Sequence, residues 1–163
     1  MMRSLSLCFL LLLAACGLQP LYQGGLTKGP NALLNNVDVP AIEGKAGWLM
    51  RDELTKRFGQ VRGTPRYRLD VRLDDQITGN GVRRDDSVTR ERRTLRARYQ
   101  LIDLSDNSVI LDATSGSDAG IDVVSSEYAT VAAENSALER LTEIVADQIV
   151  TKVALKARQK REP

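Results

Sequence analysis

Histidine is absent from this sequence of 163 residues, and cysteine occurs only twice. The absence of histidine removes the commonest general base and the commonest metal ligand. The carboxylate pairs Asp74-Asp75 and Asp85-Asp86 lack the alternating spacing of a calcium loop. We therefore expect a protein that is not an enzyme and that holds neither a metal nor another cofactor.

Aromatic residues are scarce, at 4%, and charge is nearly balanced, with 23 Lys+Arg against 21 Asp+Glu. So few aromatic rings cannot form a stacking platform for single-stranded nucleic acid. The formal net charge of +2 gives no general attraction to polyanions. We expect no nucleic-acid partner, and any anion-binding site has to arise from local clustering of charge.

The apolar runs of the sequence are short, and the longest of them lies near the N-terminus. Leu5 to Cys16 spans 12 residues, whereas a membrane-spanning helix needs about 20. This run follows Arg3 and ends in Leu13-Ala14-Ala15-Cys16, where small residues precede a cysteine as a lipoprotein signal peptidase requires. We predict cleavage before Cys16 and lipidation of its sulfur. An ordinary secretory signal with an incidental cysteine and an uncleaved membrane anchor remain as alternatives.

The first half of the remaining chain predicts a strand, a helix and a second strand. Alternation of apolar residues indicates strands from Asn36 to Ile42 and from Tyr67 to Leu73. A helix is expected from Lys45 to Phe58, with Gly59 as its C-terminal stop. The apolar face of this helix consists of Ala46, Leu49, Met50, Leu54 and Phe58. The polar residues from Asp74 to Ser87 suggest a long connection with a turn near Asn80.

The second half predicts a hairpin and a long helix. A strand from about Val88 to Ile102 leads through a tight turn at Ser105-Asp106-Asn107 to a partner strand. That strand contains Val109, Leu111 and Ala113, and a loop is expected from Thr114 to Gly120. A helix then runs from Ser125 or Ser126, as N-cap, to about Ala157. Its apolar stripe consists of Val131, Leu138, Leu141, Val145, Ile149 and Val153.

This order of elements predicts an α+β fold, a two-layer sandwich in which two helices pack on one face of a four-stranded, mostly antiparallel sheet. The expected organisation is a signal peptide at residues 1–15, a lipidated N-terminal tether at 16–35, a single domain at 36–158 and a charged tail at 159–163.

Arginine alternates along the sheet face that the helices are expected to leave uncovered. If the odd-numbered positions face the helices, the opposite face carries Arg66, Arg68, Arg72, Arg90, Arg92, Arg96 and Arg98. The planar fork of arginine matches phosphate and carboxylate oxygens. All of these except Arg66 are candidate ligands for the phosphorylated sugars of lipopolysaccharide. Alternatively, these arginines only keep the face soluble and pair with Asp70, Asp74 and Asp103. A register slip near Val88 to Arg93 would also move the arginines to the other face of the sheet.

Several features of the sequence resemble the LPS-assembly lipoprotein (LptE) family, in its alphaproteobacterial type. The segment Cys16-Gly17-Leu18-Gln19-Pro20-Leu21-Tyr22 follows the predicted leader, Tyr99-Gln100-Leu101 precedes the predicted hairpin, and a long helix closes the chain. The resemblance covers nearly the whole chain.

This resemblance implies a non-catalytic subunit of the outer-membrane lipopolysaccharide translocon. Such proteins resemble a plug inside the LptD β-barrel, where they assist barrel assembly and the insertion of lipopolysaccharide into the outer leaflet. Cys16 corresponds to the lipid attachment site of the family, which places the protein at the outer membrane, facing the periplasm or within the barrel lumen. No residue that contacts lipopolysaccharide carries over, so the arginine hypothesis depends on the residue pattern alone.

Two other classes of function are also compatible with the sequence. One is a generic periplasm-facing lipoprotein that acts as an auxiliary subunit of a lipid transporter or of a cell-wall synthase. The other is a hydrolase that uses serine or carboxylates. The proteins that co-purify with the chain distinguish the first class, and a panel of ester, phosphate and glycan substrates distinguishes the second.

Overall fold

The structure, a computed structural model, describes residues 34–59, 61, 63–82 and 88–159. The predicted signal peptide, Cys16, and most of the predicted tether and tail lie outside these residues. The described elements are, in chain order, β1 (Val37–Asp38), α1 (Gly44–Phe58), β2 (Tyr67–Val82), β3 (Val88–Asp103), β4 (Ser108–Asp122) and α2 (Glu127–Gln159).

The four strands form one sheet in the order β1-β2-β3-β4. β1 is parallel to β2, and the other two pairs are antiparallel. Both helices contribute to a single core on one face of this sheet, so the predicted α+β sandwich is confirmed. β1 is shorter than the strand expected from Asn36 to Ile42, because Pro40 has no N–H to continue the ladder.

Two segments predicted to be loops are strands instead. β2 pairs with β3 from Tyr67 to Val82, and Asn80 lies opposite Arg90, so the turn expected there is absent. β4 likewise continues through the loop predicted from Thr114 to Gly120. The prediction failed in β2 because the residues from Asp74 to Gly79 are exposed, apart from the Asp75 side chain, which contacts Arg93. A strand that is exposed to solvent on both faces has no apolar alternation.

The two helices lie side by side and parallel over the inner face of the sheet. Lys45 Nζ donates to Asn135 Oδ1 over 2.7 Å, and Arg57 Nε donates to Asp147 Oδ1 over 2.6 Å. Both contacts join residues 90 positions apart, which requires the helix axes to run in the same direction. α2 therefore covers β3 and β4, while α1 packs against its flank.

The predicted helix boundaries and apolar faces largely hold. Gly59 ends α1 with φ of 82°, and the Ala129 N–H donates to Ser126 Oγ over 3.4 Å, which identifies Ser126 as the N-cap of α2. Val131 is 46% exposed, contrary to its predicted place in the core, because the first turns of α2 extend beyond α1. Leu34, in the predicted tether, is only 6% exposed and belongs to the core. The core side chains on the helices are Met50, Leu54, Phe58, Leu138, Leu141, Val145, Ile149 and Val153.

Gly47 allows α1 to pack closely against the segment that precedes it. A Cβ at this position would lie 2.5 Å from the Ile42 carbonyl oxygen and 2.6 Å from its carbon. These are backbone atoms, so the clash cannot be relieved by a rotamer change.

We predict that Gly47→Ala destabilises the protein by about 1–2 kcal/mol. Alanine improves helix propensity by about 1 kcal/mol. Overpacking costs about 1–3 kcal/mol, and the approach of 2.5 Å to a backbone atom places the cost here at the upper end, about 2–3 kcal/mol. Urea unfolding followed by circular dichroism measures the difference. Gly120→Ala is the matched control, because no heavy atom lies within 4 Å of the added Cβ, and it should change stability by less than about 0.5 kcal/mol. Equal stability of the two variants would contradict the packing role of Gly47.

Candidate functional site

The face of the sheet turned away from the helices, called the outer face below, carries the six candidate arginines. Residues directly opposite in an antiparallel pair project from the same side, and β2 pairs with β3 without a register shift from Tyr67 to Val82. The irregularity of β3 lies between Leu101 and Ile102, against β4, beyond all of these arginines. The slip considered near Val88 to Arg93 is therefore absent, and the outer face contains Arg68, Arg72, Arg90, Arg92, Arg96 and Arg98.

Arg66 does not join this face. Its guanidinium carbon lies 5.4 Å from the ring centroid of Tyr67, and its Nη2 is 3.7 Å from Oδ2 of the buried Asp103. Both of these partners are odd-numbered residues on the helix side of the sheet.

Four of the six arginines form exposed ion pairs on the outer face, three of them with aspartates of β4. Their shortest contacts are Arg68 to Asp70 at 2.9 Å, Arg90 to Asp122 at 3.1 Å, Arg92 to Asp118 at 2.7 Å and Arg98 to Asp112 at 3.3 Å. Such exposed pairs are worth about 0–1 kcal/mol each. The partners on β4 were not predicted, because the residues from Thr114 to Gly120 have the small and polar composition of a loop.

Asp112 shows how the charge of one of these arginines, Arg98, is balanced by a neighbouring carboxylate. Its carboxylate accepts hydrogen bonds from Gln100 Nε2 over 2.8 Å and from Arg98 Nη2 over 3.3 Å. These two bonds, chiefly the one from Gln100, hold the pKa of Asp112 below its usual value. Arg98 therefore shares its charge with a carboxylate that stays ionised.

Arg72 and Arg96 differ from the other four, because neither forms an ion pair or hydrogen bond with any described residue. Arg72 lies directly opposite Arg98, whereas Arg96, the next residue of β3 on the same face, lies opposite Asp74 but forms no ion pair with it. Like charges directly opposite each other are unfavourable. Beside them is an open depression of about 330 Å³, lined by Asp70, Arg72, Arg98, Tyr99 and Gln100. This cluster has free guanidinium donors that suit a phosphate or carboxylate group.

Arg93, on the helix side of β3, has a structural role that its sequence position did not reveal. Its Nε and Nη2 donate to Asp75 over 2.8 and 2.6 Å, and its Nη1 donates to the Glu134 carbonyl over 2.8 Å. The hydrogen bond to Asp75 raises the pKa of Arg93 against the opposing effect of burial. This residue joins β2, β3 and α2 beyond the end of α1.

Among the described residues, no group of three or more histidine, cysteine, aspartate or glutamate side chains could hold a metal ion. In that same part of the chain, every helix is too short or too polar to cross a membrane.

We predict that Arg93→Gln lowers the free energy of unfolding by roughly 2–3 kcal/mol, because Asp75 would lose its bidentate partner in a largely desolvated position. The side chains of Arg93 and Asp75 are 11% and 22% exposed, so the loss should fall below that of a fully buried pair. Arg98→Gln is the control and should cost less than about 1 kcal/mol, since its pair is exposed. Urea unfolding measures both, and similar losses would refute the distinction.

Comparison with known proteins gives one family and several solved structures of the same fold. The family model described as LptE, lipopolysaccharide-assembly, matches residues 34–153. No curated protein sequence matches this chain significantly.

Three solved lipoprotein structures have the same fold. A Caulobacter crescentus protein assigned as a lipoprotein is 22% identical, with a TM-score of 0.66 over 79% of this chain and 96% of its own. Rare lipoprotein B from Shewanella oneidensis is 8% identical, with a TM-score of 0.61 over 77% and 98%. Lipoprotein B from Nitrosomonas europaea is 13% identical, with a TM-score of 0.57 over 77% and 83%.

The family match spans all four strands, α1 and most of α2. The resemblance inferred from the sequence is thereby confirmed, and the chain belongs to the LptE family of lipopolysaccharide-assembly lipoproteins.

Proposed function

We propose that this protein is a lipid-anchored, non-catalytic subunit of the outer-membrane lipopolysaccharide translocon. It binds an LptD-type β-barrel, plugs its lumen, and assists both barrel assembly and the insertion of lipopolysaccharide into the outer leaflet. The observation that carries this proposal is the LptE family match over residues 34–153.

In this proposal the lipid anchor is attached to Cys16, which lies outside the described residues. Cleavage before Cys16 leaves residues 17–33 between the acylated sulfur and Leu34, where the core begins. At about 3.5 Å per extended residue, this tether reaches at most about 60 Å. A triacylated cysteine satisfies the requirement for more than one acyl chain in stable membrane anchoring.

A binding role fits the side chains of the domain better than a catalytic one. The sequence contains no histidine, and the outer face presents guanidinium groups and carboxylates in exposed pairs. Those groups bind anions and keep the surface soluble, but they supply no activated nucleophile.

Within the outer face, Arg72 and Arg96 are the best candidates to contact the phosphates of lipopolysaccharide. Arg68, Arg90, Arg92 and Arg98 already have aspartate partners, so a phosphate has to compete with a carboxylate for each of them. A phosphate beside Arg72 would instead relieve the repulsion between Arg72 and Arg98. Most of the arginines therefore serve solubility, and lipopolysaccharide binding is restricted to the unpaired Arg72 and Arg96.

Affinity purification of the tagged full-length protein from outer membranes should recover a β-barrel of the LptD type. Intact-mass analysis of the membrane-extracted protein should show a mature species that begins at Cys16 and carries fatty acid, and the Cys16→Ala variant should lack the fatty acid because it has no sulfur to acylate. Co-purification with inner-membrane or peptidoglycan enzymes, and not with a barrel, would instead support the alternative of a generic auxiliary lipoprotein.

We predict that the double variant Arg72→Glu/Arg96→Glu binds purified lipopolysaccharide at least about tenfold more weakly, because two free donors become repulsive charges. Arg140→Glu/Lys156→Glu makes the same change in net charge on α2 and should leave binding unchanged. Binding is measured by isothermal titration calorimetry, with circular dichroism as a check of folding. Unchanged binding by the first variant would restrict the outer face to a role in solubility.

A further inference from the structure

Arg96 lies opposite an aspartate with which it forms no ion pair. Its neighbour on β2 is Asp74, and its neighbour on β4 is Gly116. Opposite charges directly across an antiparallel pair attract each other, so the register alone would predict an ion pair between Arg96 and Asp74. Instead, Gln76 Nε2 donates a hydrogen bond to Asp74 Oδ1 over 3.0 Å, and Arg96 pairs with no described carboxylate.

The Arg96 side chain is directed toward β4, where Gly116 leaves space for it. A Cβ added to Gly116 would lie 3.2 Å from Arg96 Cγ and 3.5 Å from Arg96 Cα. Cγ is nearer to this point than Cα, although it lies farther along the side chain. The stem of Arg96 therefore bends over Gly116 and away from Asp74, and it fills the space that a side chain at position 116 would need.

Two elements hold the backbone around Gly116 in place. On the side of α2, the Gly116 N–H donates to Gln148 Oε1 over 3.3 Å, and the Thr114 carbonyl accepts from Lys152 Nζ over 2.7 Å. On the side of β3, the added Cβ would lie 3.1 Å from the Leu95 carbonyl oxygen. Because the backbone is held on both sides, a larger residue at position 116 has to displace the Arg96 side chain.

Arg96 finds no free carboxylate on β4. Asp118, the next residue of β4 on the outer face, is bound by Arg92 over 2.7 Å. Thr114, on the other side of Gly116, carries no charge. The exposed guanidinium of Arg96 is thus left without a counter-charge among the described residues, and its donors suit a phosphate.

We propose that Gly116 is a positioning residue for phosphate binding on the outer face. Its missing side chain lets Arg96 lie across β4, out of reach of Asp74, and so keeps the guanidinium free. A larger residue at position 116 turns Arg96 toward Asp74, where the two form an ion pair and the outer face loses an unpaired donor. This inference rests on the proposed binding of lipopolysaccharide by Arg72 and Arg96.

The first measurement is the position of Arg96 in crystal structures of the full-length wild type and of Gly116→Val. In the wild type the side chain should cross β4, and in the variant the guanidinium should lie within about 4 Å of the Asp74 carboxylate, as in an ion pair. An Arg96 that stays over β4 in the variant, or that already contacts Asp74 in the wild type, would overturn the proposal. No lipopolysaccharide is present in these crystals, so this result is independent of the proposed function.

The second measurement is the binding of purified lipopolysaccharide by isothermal titration calorimetry. Gly116→Val should bind about three- to tenfold more weakly than the wild type, because one charge-assisted donor is withdrawn. Gly120→Val is the matched control, since Gly120 lies opposite the paired Arg92 and an added Cβ meets no heavy atom within 4 Å. This control should bind as the wild type does, and circular dichroism checks the folding of both variants.

Asp74→Asn separates the withdrawal of Arg96 from general damage to β4. It removes the carboxylate that captures Arg96, so it should raise the affinity of Gly116→Val by a larger factor than it raises the affinity of the wild type. An equal factor in both backgrounds, or equal weakening by Gly116→Val and Gly120→Val, would contradict the role of Gly116. If only Arg72→Glu/Arg96→Glu weakens binding, the proposed function stands and the positioning role fails.

Discussion

The fold depends on the uninterrupted antiparallel pairing of β2 with β3. Tyr67 lies opposite Asp103 at one end of this pair, and Val82 lies opposite Val88 at the other. Because side chains alternate along a strand, this single register sends Leu95, Ala97, Tyr99 and Leu101 into the core and Arg96 and Arg98 to the outer face. A shift by one residue would exchange these two sets, exposing apolar side chains and burying unpaired charges.

Although the charge of the whole chain is nearly balanced, positive and negative side chains on the outer face lie on different strands. β3 contributes Arg90, Arg92 and Arg98 to the outer face, and β4 contributes the aspartates that pair with them. The face is therefore close to neutral over most of its area, although it is dense in arginine. What remains for an anion is local: Arg72 lies opposite Arg98 and Arg96 lies opposite Asp74, and neither Arg72 nor Arg96 forms an ion pair with a described carboxylate. A nearly neutral protein can in this way present a specific site for a phosphorylated ligand without a general affinity for polyanions.

The apolar pattern predicted the elements well wherever large apolar side chains recur with the period of a strand or a helix. The strand at Tyr67 to Leu73, the helix ending at Gly59 and the N-cap at Ser126 all follow from local preferences, and the structure confirms each of them. The prediction failed from Asp74 onward in β2, where the residues are exposed, and in the second half of β4, where the residues on the helix side include the small Ser115, Ser117 and Ala119. There, a strand is stabilised by pairing with distant residues, and its composition is that of a loop. Both the full length of β2 and the aspartates of β4 were missed for this one reason.

The sequence by itself determined the motif ending at Cys16, the absence of histidine, the order of elements and the family resemblance. Each of these follows from the composition or from local patterns of residues close together in the chain. Only the tertiary structure decided which arginines have partners. Arg92 pairs with Asp118, Arg93 lies buried against Asp75, and Arg72 has Arg98 opposite it. These outcomes depend on the register of strands that meet only in the folded protein, so no local pattern encodes them.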